Sequence, residues 1–243
     1  GAKDGHNLLV ATESVSINNG LVYRKPLVDA ERELVPVHEL FEIPFALIVR
    51  ADLGVNSVQE FVALMKKDGK KYSYASSGVG SPLQLAMEGF ARDAGFEIVH
   101  VPYKTLGQLQ QDMAGGTLDA AFLGVNAALS FVKAGKLKLL AVTGSARHPA
   151  APQAPTFGEL GLRNVDYRTS IALLAPRGTP PQTLARITAD VHEALHSEEF
   201  ARRFLRAHEL KASAADGRQY AEAMAARRAA TKRLVDTLNI KLD

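Results

Sequence analysis

Residues 74–90, YASSGVGSPLQLAMEGF, carry a strand end, a Ser/Gly turn and a helix start in one short stretch. Ser81 is a favoured N-cap, and Pro82 falls at the first helical position, where its missing N–H is not needed. Leu83, Met87, Phe90 and Ala94 then recur along one side, and Gly95 stops the run, so the spacing predicts a helix over 82–94. KKYSYAS (70–76) supplies the strand that leads into the turn.

The same unit repeats on both sides. FALIVRADLG (45–54) reads as a strand and turn, and SVQEFVALMKK (57–67) as a helix capped by Ser57 with Glu60 three residues on. FEIVHVPY (96–103), LDAAFLG (118–124) and LKLLAVTG (137–144) read as strands, with helices over 105–116 and 126–135 between them. This alternation predicts a parallel α/β sheet with helices on its faces. Upstream, HNLLVAT (6–12) reads as a buried strand and ESVSINNG (13–20) as a polar loop. Downstream come the Pro-rich loop 148–157, a capping pattern at Thr156 and Glu159, and one more strand, IALLAP, in 168–180. Helices follow over 180–195, 198–206 and 217–238 without intervening strands. The α/β block is flanked by strand-and-turn segments at 43–50 and 170–176. That placement predicts two lobes joined by two chain segments, 1–44 with 170–243 as lobe one and 45–169 as lobe two.

Composition narrows the chemistry. The chain has 243 residues, 47% of them hydrophobic, and a formal net charge of +3, enough for a sizeable core in one or two domains. Without cysteine there is no thiol catalysis, no Cys-ligated zinc and no disulfide. No run approaches the roughly 20 apolar residues of a membrane span, and no signal-peptide pattern is visible. The basic residues Arg202, Arg203, Arg206, Arg227, Arg228, Lys232 and Arg233 interleave with acids at helical spacing. A solvated helix face explains them, and no nucleic-acid partner is expected.

The 76–81 turn invites several chemistries. A dinucleotide fingerprint needs a third glycine, and Leu83 stands there; Glu97 sits at the start of the next strand instead of its end. A nucleophile elbow needs glycine two residues before the serine, but Tyr74 and Ala75 precede Ser76 and Ser77. HEALH (192–196) matches the zincin pattern on its face, yet it ends an amphipathic helix and has no third ligand at metzincin spacing. A zinc-dependent hydrolase and a dinucleotide enzyme are therefore weak alternatives. The turn itself suits an anion. A helix start leaves N–H groups unpaired, Gly78 and Gly80 let an oxygen approach the backbone, and Ser76, Ser77 and Ser81 add hydroxyls. The plain alternative is that Ser81 only caps the helix and the glycines only turn the chain. Thr12, Ser14 and Ser16 follow the first strand, where ligands of α/β sheets gather, or else form an ordinary polar loop. Asn126 follows LDAAFLG as an expected helix cap. His100 alternates with apolar neighbours and reads as a hydrogen-bonded sheet residue.

The ordered set DGHNLLVAT (4–12), FALIVR (45–50), YSYASSGVGSPLQLAMEGF (72–90), IVHVPYK (98–104), AGGTLDAAFLG (114–124), VKAGKLKLLAVTGSARHPAAPQAPTFGELG (132–161) and LLAPRGTP (173–180) resembles the Bug family. These are TctC-like extracytoplasmic solute receptors of tripartite tricarboxylate transporters. The resemblance runs from Asp4 to the C-terminus. It implies a two-lobed type II periplasmic binding protein (Venus-flytrap) fold whose lobes close over a small carboxylate: a di- or tricarboxylate, an acidic amino acid or an aromatic acid. It further implies a periplasmic, monomeric receptor without cofactor, metal or catalytic residues, which delivers its ligand to integral membrane transporter subunits. As ligand contacts it implies Ser76, Ser77, Gly78, Gly80 and Ser81 from one lobe, with Thr12, Ser14 and Ser16 as the wall of the other and Asn18 beside them. Asn126 would face the cleft or only its own helix. Ser170 would reach the ligand from the hinge side, and Tyr103 and Lys104 would stand near the mouth. Family members carry several dozen residues before the DGHNLL segment, with a strand and a Gly-rich loop, so lobe one is expected to be N-terminally incomplete here, with exposed edges and apolar surface. They often have His in place of Gln84 and Trp near Ser170–Ile171.

Overall fold

The computed structural model describes residues 2–162, 165 and 167–242. The elements are β1 (Leu9–Thr12), a π-helical turn (Ser14–Asn18) running into α1 (Asn19–Val22), α2 (Ala30–Glu33), β2 (Leu34–Arg50), α3 (Val58–Asp68), β3 (Ser73–Ser76), α4 (Pro82–Ala94) and β4 (Val99–Pro102). They continue as α5 (Leu106–Ala114), β5 (Ala120–Gly124), α6 (Val125–Lys133), β6 (Leu137–Val142), β7 (Arg168–Pro176), α7 (Pro181–His196), α8 (Glu198–Phe200) and α9 (Gly217–Thr237). The chain divides into unit 1, Gly1–Ile43 with Thr169–Asp243, and unit 2, Pro44–Arg168.

In unit 2 the strands are ordered β6-β2-β5-β3-β4. β3 runs parallel to β4 and β5, as the alternation of strands and helices predicts. The expectation of an all-parallel sheet fails at β2, which is antiparallel to both β5 and β6. β2 enters from unit 1 instead of following a crossover helix. Its buried run Phe45–Val49 is apolar on both faces, and such a run carries no record of its direction. The core is aromatic. Phe90 of α4 packs edge-on against Phe122 of β5 and against Phe157, and Phe61 of α3 meets Phe96 edge-on at 5.8 Å between centroids. Each such pair adds about 0.5–1.5 kcal/mol beyond its burial. The expected caps form: Ser57 Oγ accepts the Glu60 N–H at 3.1 Å, and Ser81 Oγ accepts the Gln84 N–H at 3.3 Å.

In unit 1 the strands are ordered β1-β7-β2, with β1 antiparallel to β7. β7 alternates its side chains between two helices. Leu173 and Ala175 pack with Leu184, Ile187 and Val191 of α7, while Ala172 and Leu174 pack with Tyr220 and Met224 of α9. Three local expectations are corrected here. HNLLVAT is no buried strand: only Leu9–Thr12 are extended, only Ala11 is buried, and Leu8, Leu9 and Val10 are exposed on an edge paired, among the described residues, with β7 alone. ESVSINNG is no loop: Ile17 carries Ser16 and Asn18 into the interior on a helical turn. The strand expected at 45 begins at Leu34, because the interrupted pattern of LVPVHELFEIP hides a half-buried strand. No helix among the described residues is long and apolar enough to cross a membrane.

Candidate functional site

β3, β4 and β5 end on one edge of the unit 2 sheet, at Ser76, Pro102 and Gly124. That edge brings together the 76–81 turn, Tyr103 and Lys104, and Asn126. The carboxyl ends of parallel strands are where α/β sheets take ligands.

The turn is braced from behind. Ser76 is fully buried; its Oγ lies 2.7 Å from His100 Nε2 and accepts the Gly78 N–H at 3.2 Å. His100 stacks on Tyr74 at 4.9 Å, and burial holds its imidazole below the usual histidine range, hence neutral near pH 7. Tyr74 in turn donates to Glu88 Oε1 at 2.6 Å, and its phenol is raised by burial and by that carboxylate. Gln84 is buried in the first turn of α4 and accepts the Gly80 N–H at 2.6 Å. Gly78 and Gly80 adopt φ of 118° and 75°, a region that a side chain disfavours. On the outer side Ser77 is exposed, and the amides of Ser77 and Val79 have no partner among the described residues. The result is a neutral seat of N–H and O–H donors at a helix N-terminus, with no Lys or Arg within 76–81. The helix end contributes about 0.3–1 kcal/mol toward an anion, so binding needs several donors together.

Asn126 does not cap α6. The helix starts one residue earlier, with Gly124 as its N-cap, and Asn126 is half-buried in its first turn. Tyr103 donates to Asp112 Oδ2 at 2.7 Å, and burial with that carboxylate pushes its phenol up to about 12. Lys104 is exposed.

In unit 1, Thr12 is exposed at the end of β1 opposite Ile171, Ser14 is half-buried, and Ser16 is buried with its hydroxyl donating to the Thr12 carbonyl at 3.4 Å. Asn18 is buried. Ser170 is fully buried, and protein groups occupy it: its hydroxyl donates to Glu39 Oε1 at 2.5 Å and accepts from Arg227, while its N–H donates to Glu13 Oε2 at 3.4 Å. The reading of Arg227 as part of a solvated helix face is corrected: it is only 20% exposed and faces the carboxylates of Glu13, Glu39 and Glu42, which no local pattern records. Sequence reasoning missed those three acids, which have no motif to link them. It also missed the Gln84 brace, although a glutamine three residues after a serine cap was a local signal for it. The HEALH helix places His192 Nδ1 3.3 Å from His38 Nε2 and His196 Nδ1 2.8 Å from the His192 carbonyl. Among the described residues no group of three or more His, Cys, Asp or Glu is arranged to hold a metal ion.

The family model of the tripartite tricarboxylate transporter family receptor, TctC, matches residues 1–240. The chain belongs to the TctC receptor family. Among curated relatives, this TctC-family chain is 29% identical over 193 residues to a UPF0065 protein in the tcbD-tcbE intergenic region of Pseudomonas sp. strain P51. It is 29% identical over 198 residues to the protein BugT of Bordetella pertussis. The matches cover 79% and 81% of this chain but only 57% and 61% of those proteins, so it spans less than two thirds of their length. Among solved structures it is similar to R. palustris Rpa4515 with adipate, at 26% identity and a TM-score of 0.88 over 99% of this chain and 80% of that one. A periplasmic binding protein, BugD, shares the fold at 21% identity and a TM-score of 0.83, covering 99% of this chain and 81% of that one. The TctC-family fold is thus that of α/β periplasmic binding proteins of type II.

Proposed function

We propose that the protein is a periplasmic solute receptor that takes up a small carboxylate and hands it to the integral membrane subunits of a tripartite tricarboxylate-type transporter. The donor turn at 77–81 carries this reading. It offers the Ser77 and Val79 amides, unpaired among the described residues, with hydroxyls and a helix N-terminus on the ligand edge of the unit 2 sheet, held by Ser76 and Gln84 from behind. In this reading the Ser77 and Val79 amides and the Ser77 and Ser81 hydroxyls receive the carboxylate, Gly78 and Gly80 shape the turn that presents them, and Asn126 lies in the first turn of α6 on the same edge. Within unit 1, Thr12 and Ser14 at the end of β1 are further candidates for ligand contact, while Ser16, Ser76 and Ser170 act by holding the backbone of their own units in place. The turn itself carries no Lys or Arg within 76–81, so it holds a carboxylate through directed hydrogen bonds. The adipate in Rpa4515, at 26% identity, favours a dicarboxylate. The receptor works as a monomer, without cofactor or catalytic step.

A thermal-shift series with adipate, a tricarboxylate, glutamate and benzoate tests this against adipamide, the uncharged isostere. A carboxylate at 100 times its Kd should add about 2.7 kcal/mol of stability. Gly80→Val should abolish that gain by distorting the positive-φ turn that presents the Ser77 and Val79 amides. Equal stabilisation by adipamide, or none by any carboxylate at millimolar concentration, sinks the reading.

A further inference from the structure

Unit 1 holds an ionic cluster that the carboxylate seat does not use. From α9, the Arg227 guanidinium reaches three carboxyl groups and a hydroxyl. Nη1 contacts Glu13 Oε2 at 3.3 Å, Glu39 Oε1 at 3.8 Å and the Ser170 hydroxyl, and Nη2 donates to Glu42 Oε1. Glu39 ties further partners in, accepting from Ser170 Oγ at 2.5 Å and from Ser213 Oγ at 2.7 Å. Glu13, Glu39 and Ser170 are buried, and Arg227 is 20% exposed. Arg227 thus faces three acids in a poorly solvated place, where removing its charge would strip a shared counter-charge from buried Glu13 and Glu39.

The positions of these partners matter. The chain passes between the units only twice, at Ile43–Pro44 in β2 and at Arg168–Thr169 in β7. Glu42 precedes the first crossing by one residue, and Ser170 follows the second by one. Arg227 therefore grips both crossing strands at the point where they leave unit 1. Beyond its grip the first strand meets Pro44, whose ring fixes φ. On the second, Thr169 keeps a buried hydroxyl with no partner among the described residues. A buried unpaired hydroxyl is a standing cost that another arrangement of the segment can relieve.

We infer that Arg227 is a positioning residue for ligand capture: it holds both crossing strands of unit 1 in register and confines flexing to Ile43–Pro44 and Arg168–Thr169. This rests on the receptor reading above, to which it adds that binding proteins capture ligand by hinge bending at their linking segments. Arg227 touches no ligand and acts through Glu42 and Ser170.

The test uses amide hydrogen exchange together with adipate binding. Arg227→Lys keeps the charge and loses the fork, and Glu42→Gln removes the outermost contact without stranding a cation. Arg228→Met, which breaks the ion pair of Arg228 with Glu31, is the control on the same helix. In the unliganded receptor, Arg227→Lys should raise exchange at least tenfold in both 39–43 and 169–171, with Glu42→Gln intermediate and Arg228→Met unchanged. Adipate affinity should fall about tenfold in Arg227→Lys at a temperature where it remains fully folded. Unchanged exchange in the two segments overturns the clamp, and so does a change in only one of them. Faster exchange with an unaltered adipate Kd overturns the positioning role. A wild-type protein that binds no dicarboxylate sinks the receptor reading and the capture role with it, while the exchange result still decides whether Arg227 holds the strands.

Discussion

Two buried hydroxyls in this protein have opposite roles. Tyr220 is fully buried in α9, its hydroxyl has no hydrogen-bond partner among the described residues, and burial pushes its phenol up to about 12. Tyr220→Phe deletes a desolvated hydroxyl that the Ser16 side chain influences without completing a hydrogen bond, so thermal melts should show an unchanged or higher Tm. A clear drop would mean that the hydroxyl has a partner after all. Ser76 is the reverse case. Ser76→Ala leaves His100 Nε2 and the Gly78 N–H without their partner, and should cost about 1–3 kcal/mol in the same melts. Ser76→Thr, which keeps the hydroxyl, should cost less. At this scale the sequence revealed what is local. Ser81, Pro82, Gly78 and Gly80 were readable because caps and positive φ depend on near neighbours. The Ser76–His100 pair was not readable, because it forms between adjacent strands from residues far apart in the chain.

Helices behave similarly: those with a cap and a stop were legible, and what packs against them was not. α4 shows the difference. Its ends follow from Ser81, Pro82 and Gly95, but nothing local says that Gly89 lies against Tyr167. Replacing a mid-helix glycine with alanine ordinarily gains about 1 kcal/mol. Here the added Cβ would meet the Tyr167 hydroxyl and ring inside hard contact, so Gly89→Ala should be destabilising in urea unfolding. In a Tyr167→Leu background the same substitution should cost much less. An equal cost in both backgrounds would place the problem elsewhere on α4. Strand direction was beyond the sequence for a related reason. β2 pairs antiparallel through Phe45–Val49, and a doubly buried apolar run looks the same whichever way its neighbours point.

For the whole molecule, the two strand-and-turn segments flanking the α/β block pointed to a chain that leaves one unit and returns to it. The charges that hold its crossings came from three distant stretches, at 13, 39–42 and 227, and had no pattern to find. Glu13 in unit 1 and His100 in unit 2 respond oppositely to pH. Burial raises the Glu13 carboxyl above its ordinary 4.5, even though the Arg227 charge pulls it down. The folded state then binds a proton that the unfolded chain releases, so Glu13's contribution is full below pH 4.5 and is lost as pH rises through its folded value. His100 is the mirror image. Burial lowers it below its ordinary 6.5, so its contribution is present above pH 6.5 and is lost as pH falls through its folded value. Calorimetry of wild type, Glu13→Gln and His100→Gln between pH 4.5 and 7.5 separates the two. Relative to wild type, Glu13→Gln should gain Tm as pH rises, and His100→Gln should gain Tm as pH falls. Parallel profiles for all three proteins would mean that neither group titrates between the folded and unfolded states. A reversed slope for Glu13→Gln would mean that attraction to Arg227 outweighs burial at the crossing strands.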